Sequence, residues 1–93
     1  MNLKIAICDD DASEREYIES IVAEWARRVR HIADIRQYDS AKRFLFDYEA
    51  EKDFDILLLD IEMPEISGVE LAKRVRLDNT AVQIIFVTGS NES

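Results

Sequence analysis

The sequence predicts an α/β fold: a parallel sheet with helices on both faces. Three observations lead there. Short runs rich in Ile, Leu and Val alternate with longer segments whose apolar residues recur every three or four positions. The run from Phe54 to Leu59 is almost continuously apolar, as a strand covered on both faces should be. Acidic or hydroxyl residues close several runs, at Asp9, Asp60 and Thr88, and the ends of parallel strands are where such folds gather ligands.

Leu3 to Cys8 is the first expected strand, with turn-forming acids after it. Ser13-Glu14-Arg15-Glu16 fits a capping box that starts a helix. Ile18, Ile21, Val22, Trp25, Ala26 and Val29 make one face of that helix, so Trp25 is expected in the core. His31 follows as a solvated helix-end residue. Ile32 to Tyr38 is a more polar strand, suited to a sheet edge. Asp39 or Ser40 caps a second helix with Ala41, Phe44, Leu45 and Tyr48 on one face. A charged connector, Glu49 to Asp55, leads to the third strand, Phe54 to Leu59, which Asp60 ends. Met63-Pro64 and Ser67-Gly68 punctuate a loop. Gly68, Leu71, Ala72 and Val75 define a third helix, Asp78-Asn79 a turn, and Ile84 to Val87 a fourth strand ending at Thr88. The order β-α-β-α-β-α-β requires crossover connections and a parallel sheet.

The 93 residues suffice for one domain. A charged fraction of 34% beside a hydrophobic fraction of 47% suits a soluble domain. No apolar run is long enough to span a membrane, and no secretory leader follows Met1. The single Cys8 cannot form an internal disulfide, so the expected compartment is the reducing cytoplasm. A net charge of −8 argues against direct nucleic-acid binding by this segment. The acids are unevenly spread: residues 47–93 hold 11 acids and 4 bases. They are either a solvated surface or, in part, a cation site.

If the first and third strands are neighbours, Asp9, Asp10 and Asp60 crowd one crevice. Like charges so close repel, and a cation relieves them. Hard oxygen ligands with open positions suit Mg²⁺, which also binds phosphate oxygens. A carboxylate beside such an ion can attack phosphorus, and the Thr88 hydroxyl could bond a new phosphoryl oxygen. The alternative for each Asp is a turn or helix-cap role.

Ile5-Ala6-Ile7-Cys8-Asp9-Asp10-Asp11, then Asp55 to Pro64 with Ser67-Gly68, then Ile84-Ile85-Phe86-Val87-Thr88-Gly89 resemble the receiver domains of two-component response regulators. The resemblance covers the whole chain. The Ile-Cys-Asp-Asp start and Phe-Val-Thr-Gly end are most similar to receivers joined to LytTR-type DNA-binding domains. The resemblance implies a flavodoxin-like fold and a phospho-acceptor Asp60. It implies a Mg²⁺ site of Asp9, Asp10, Asp60 and the backbone carbonyl of Glu62, with Thr88 as the switch hydroxyl. Asp11 could shift the acidic pair by one register; Cys8 as the last strand residue favours Asp9 and Asp10. Pro64 and Gly68 would shape the loop. The implied partner is a sensor histidine kinase, whose phosphohistidine supplies the phosphoryl group. The implied output is transcription, through an effector domain elsewhere that would contact DNA.

By the same resemblance, residues 1–93 form one receiver domain incomplete at its carboxyl end. A fifth strand, two helices and a phosphoryl-binding lysine would be missing, and Lys4, Lys42, Lys52 and Lys73 lie in other elements. Self-association through the exposed fourth strand, Ile84 to Val87, is then expected. The chain is expected to be a regulated binding module and not a metabolic enzyme. Two rivals remain: a degenerate receiver that only makes protein contacts, and a Mg²⁺-dependent phosphohydrolase of the haloacid-dehalogenase type. The latter also uses an Asp nucleophile with an acid two residues on, where Glu62 stands here.

Overall fold

The computed structural model describes residues 1–87. In chain order the elements are β1 (Asn2–Cys8), α1 (Ala12–Arg28), β2 (Ile32–Tyr38), α2 (Ala41–Ala50), β3 (Ile56–Asp60), α3 (Gly68–Arg76) and β4 (Gln83–Val87). All strands are parallel, in the order β2-β1-β3-β4. The polar strand β2 lies at an edge, and β1 and β3 are hydrogen-bonded neighbours. Cys8 pairs with Tyr38 on one side and Leu59 on the other, so β1, β2 and β3 finish at nearly the same level.

Alternation along the central strands feeds two separate cores. Ala6, Cys8, Leu57 and Leu59 meet Phe44, Tyr48, Leu71 and Val75 from α2 and α3. Ile5 and Ile7 meet Ile18 and Val22 from α1 on the opposite face. Phe44 centres the larger core, with the rings of Tyr38, Tyr48 and Phe54 at 5.4, 5.5 and 5.2 Å. Edge-on, tilted and stacked contacts of this kind add to the area they bury.

Several local readings change. Asp11, and not Ser13, caps α1: its carboxylate accepts from the amides of Ser13 and Glu14. A carboxylate satisfies those donors and also meets the positive end of the helix dipole, so it displaces the hydroxyl. Ser40 caps α2, and Ser67 caps α3. Trp25 is not core; it is 43% exposed. Ile18, Val22 and Ala26 point at the sheet, while Ile21 and Trp25 flank an open apolar hollow of about 320 Å³ that Leu58 and Ile85 also line. His31 is half-buried, not solvated, with Trp25 at 6.2 Å and its Nδ1 buried without a hydrogen-bond partner among the described residues. It is carried inward where α1 closes: Arg30 adopts a left-handed φ of 61°, and the His31 amide donates to the Ala26 carbonyl. Strand β3 starts two residues later than expected and includes Asp60. Asp55 instead hooks onto β1, its amide donating to the Lys4 carbonyl and its carboxylate accepting from the Lys4 amide, each at 2.8 Å.

Candidate functional site

The turn after β1 and the end of β3 meet at the carboxyl edge of the sheet. There Asp9, Asp10 and Asp60 each offer a carboxylate oxygen within 4.8 Å of the others. Asp9 is buried, Asp60 half-buried and Asp10 exposed, so the cluster opens to solvent on one side. Asp11 is excluded from it, because its carboxylate is committed to capping α1.

Asp9 is held at several atoms. Its amide donates to the Tyr38 carbonyl at 3.1 Å. One carboxylate oxygen accepts from the Asp11 amide at 2.9 Å. Its carbonyl accepts from Arg15 Nη1 at 2.7 Å. Burial pushes the Asp9 carboxyl up to about 6, against the opposing pull of the Asp11 amide; the charges of Asp60, Asp10 and Glu14 add to the rise. Asp60 is also raised, first by burial and then by Asp10 and Glu62, with the amides of Glu62 and Ile61 opposing. Both shifts have one physical source: carboxylates withdrawn from water into each other's field.

The loop from β3 to α3 is shaped by a close approach. At Gly68 a Cβ would lie 2.1 Å from the Asp60 carbonyl oxygen, so only glycine lets α3 start there. The Gly68 amide donates to the Ile61 carbonyl at 2.9 Å, fastening the loop to the strand end. Within the loop Glu65 takes a left-handed φ of 69°, and its carboxylate meets Lys42 of α2 at 3.2 Å. Glu62 is exposed, and its amide faces an Asp60 carboxylate oxygen at 3.4 Å.

The structure thus brings Asp9, Asp10 and Asp60 together, with Glu62 beside Asp60. Thr88 lies outside the described residues. Arg15 was not singled out by sequence reasoning; its only signal is a basic residue one turn into a helix that follows an acidic turn. Three convergent carboxylates, two of them drawn out of water, fit a small hard divalent cation in charge and donor type.

Among known proteins, the chain is 37% identical over 87 residues to the transcriptional regulatory protein NatR of Bacillus subtilis, covering 94% of this chain and 35% of that protein. It is 29% identical over 86 residues to the response regulator receiver protein CpdR of Brucella abortus, covering 92% of this chain and 66% of that protein. The chain therefore spans about a third of the first relative and just under two thirds of the second. A crystal structure of a receiver domain protein from Clostridium thermocellum superposes with a TM-score of 0.79 at 17% identity, over 92% of this chain and 64% of that one. The family model described as response regulator receiver domain matches residues 5–93, and on that match the chain belongs to the response regulator receiver family.

Proposed function

We propose that the chain is a phospho-acceptor switch in which Asp60 takes a phosphoryl group from a phosphohistidine on a sensor histidine kinase. The observation that carries this reading is the convergence of Asp9, Asp10 and Asp60 at the ends of two adjacent parallel strands. Asp60 has the nucleophile's place, at the end of β3 and only partly buried, and so open to an incoming group. A carboxylate oxygen of Asp60 forms the new O–P bond as the N–P bond of the donor breaks, and the electron pair stays on the departing imidazole. Asp9, Asp10, Asp60 and the Glu62 carbonyl are the proposed ligands of Mg²⁺. When bound, the ion supplies charge neutralisation to the phosphoryl oxygens. The Thr88 hydroxyl is the proposed bond partner of the acyl phosphate, through which modification would bias the domain between two states.

The output is proposed to be transcription, exerted by other parts of a longer protein of the LytTR-linked kind. The transcriptional output is supported by the relative NatR, a transcriptional regulatory protein. The cytoplasm is the proposed compartment; no helix among the described residues is long and apolar enough to cross a membrane.

The test is intact mass after treatment with Mg²⁺ and a small acyl-phosphate donor, with Asp60→Asn alongside. The expected result is a gain of one phosphoryl group in the unchanged protein alone. Gain in both proteins, or in neither although both are folded, removes Asp60 as the acceptor.

A second reading, a module for protein contacts, has one observation in its favour. Strand β4 pairs only with β3 among the described residues, carries no charged residue, and leaves Ile85 48% and Phe86 43% exposed. Edges without charges invite strand pairing, so association of copies through Ile84 to Val87 is expected. Light scattering of a concentrated sample reads it, and a monomer throughout counts against it.

A further inference from the structure

We propose that Arg15 is a positioning residue for the carboxylate cluster, fixing the main chain of Asp9 from helix α1. The inference rests on the cation-binding reading above. Arg15 sits in the first turns of α1 and is half-buried. Its Nη1 donates to the Asp9 carbonyl at 2.7 Å, and its Nε donates to Gln37 Oε1 of β2 at 3.0 Å. Gln37 Nε2 in turn donates to Glu19 Oε1 at 2.6 Å, one turn further along α1. The guanidinium is therefore clamped between a helix and an edge strand while it grips the acidic turn.

Two features separate this contact from an ordinary ion pair. Its acceptors are a backbone carbonyl and a side-chain amide, so among the described contacts it forms a direct ion pair with none of the three carboxylates. And it completes the set of holds on Asp9: amide on Tyr38, carboxylate on Asp11, carbonyl on Arg15. With those atoms fixed, the Asp9 side chain has little freedom to turn from its neighbours. Asp10, the next residue, inherits the direction of the same peptide. Arginine suits the task because its planar fork serves two acceptors at once, which an ammonium point charge cannot match. Groups that orient a ligand are commonly worth 10- to 100-fold in metal affinity.

The experiment is Mg²⁺ titration by calorimetry on the full chain, with thermal melting of every variant. Arg15→Met keeps the apolar stem and is expected to weaken Mg²⁺ binding by roughly 10-fold or more. Arg15→Lys can reach the Asp9 carbonyl but not Gln37 as well, and should recover part of the loss. Gln37→Leu loosens the clamp without touching the cluster and should weaken binding in the same direction by a smaller factor. Lys52→Met breaks a remote pair with Asp78 at 2.6 Å; it should lower the melting temperature and leave Mg²⁺ affinity unchanged, which separates positioning from general stability. A folded Arg15→Met protein with the unchanged affinity overturns the proposal. If that variant does not fold, unchanged affinity in both Arg15→Lys and Gln37→Leu overturns it. If the unchanged chain itself binds no Mg²⁺, the cation site fails and Arg15's role fails with it, a result distinct from equal binding across the variants.

Discussion

The two ends of β1 treat charge in opposite ways. At the amino end Lys4, with its side chain only 12% exposed, meets Glu51 and Asp53 at 2.7 Å each and lies 4.5 Å from the centre of the Phe54 ring. Burial disfavours its ammonium, yet the bonds to Asp53 and Glu51 outweigh that and leave its pKa raised. At the carboxyl end, five residues on, Asp9 is buried against Asp10 and Asp60, and the charges add instead of cancelling. One end is an internally settled ion cluster whose work is to tie the α2–β3 connector to the sheet. The other is an unsettled one, and such arrangements persist where function requires them.

The largest effect should come from removing the unsettled charge. The Asp9 carboxyl is raised from 3.8 to about 6, so the folded chain holds that proton more tightly than the unfolded chain does. Its contribution favours folding below about pH 4 and is lost as pH rises through about 6. Above that the ionised group costs the fold about 1–2 kcal/mol, because solvent on the open side of the cluster screens it. In a chelator at pH 8, Asp9→Asn should therefore melt roughly 10 °C higher than the unchanged chain. The gap should close as pH falls towards 4. Added Mg²⁺ should stabilise the unchanged chain and not the variant. A variant less stable at pH 8 would mean that the Asp11 amide bond outweighs the repulsion, and the contrast between the two ends of β1 would fall.

A second, smaller effect concerns the loop that presents Asp60. Alanine in the first turn of a helix normally stabilises relative to glycine, by about 1 kcal/mol or less. At Gly68 the added methyl would meet the Asp60 carbonyl at 2.1 Å, and rigid backbone on both sides must separate. Gly68→Ala is expected to destabilise by about 1–3 kcal/mol despite the helix propensity. Because the clash falls on Asp60 itself, phosphoryl acceptance should fall by more than the melting temperature implies. Denaturant unfolding and the mass assay together read this; a neutral Gly68→Ala would show that the approach is elastic.

The element order was legible in sequence because buried parallel strands and amphipathic helices write simple periods; the adjacency of β1 and β3 was a condition there, since periods do not order strands within a sheet, and the structure supplies it. Gly68, Leu71, Ala72 and Val75, expected on one helical face, are all buried. What failed were choices between chemically similar neighbours. Ser13 and Asp11 can both cap a helix, and only the helix start decides between them. Trp25 shares a stripe with Val22, but a stripe is wider than the sheet contact available to it, and Trp25 falls on its outer flank. At the site, the crowding of Asp9, Asp10 and Asp60 followed from strand ends. The clamp of Arg15 on the Asp9 carbonyl did not, since a bond between a helix side chain and a preceding turn leaves no period in the sequence.

The smallest effect should be found at the settled end of β1, and its smallness is itself informative. Lys4→Met keeps the stem over Phe54 and removes only the ammonium. The partners Glu51 and Asp53 are 59% and 73% exposed, so water can take over their solvation. Pairs of this kind contribute about 0.2–1 kcal/mol each, and the contact with the ring about as much. Some of that sum is returned because a nearly buried cation no longer has to be desolvated. The expected loss is thus about 1 kcal/mol at low salt by denaturant unfolding. It should shrink at 1 M salt, where the screening length falls to about 3 Å. Mg²⁺ affinity and phosphoryl acceptance should stay as in the unchanged chain, because Lys4 acts on the connector and not on the acidic turn. A change of several-fold in Mg²⁺ affinity on Lys4→Met would show that the two ends communicate along β1, and the amino-end cluster would then have to be counted as part of the site.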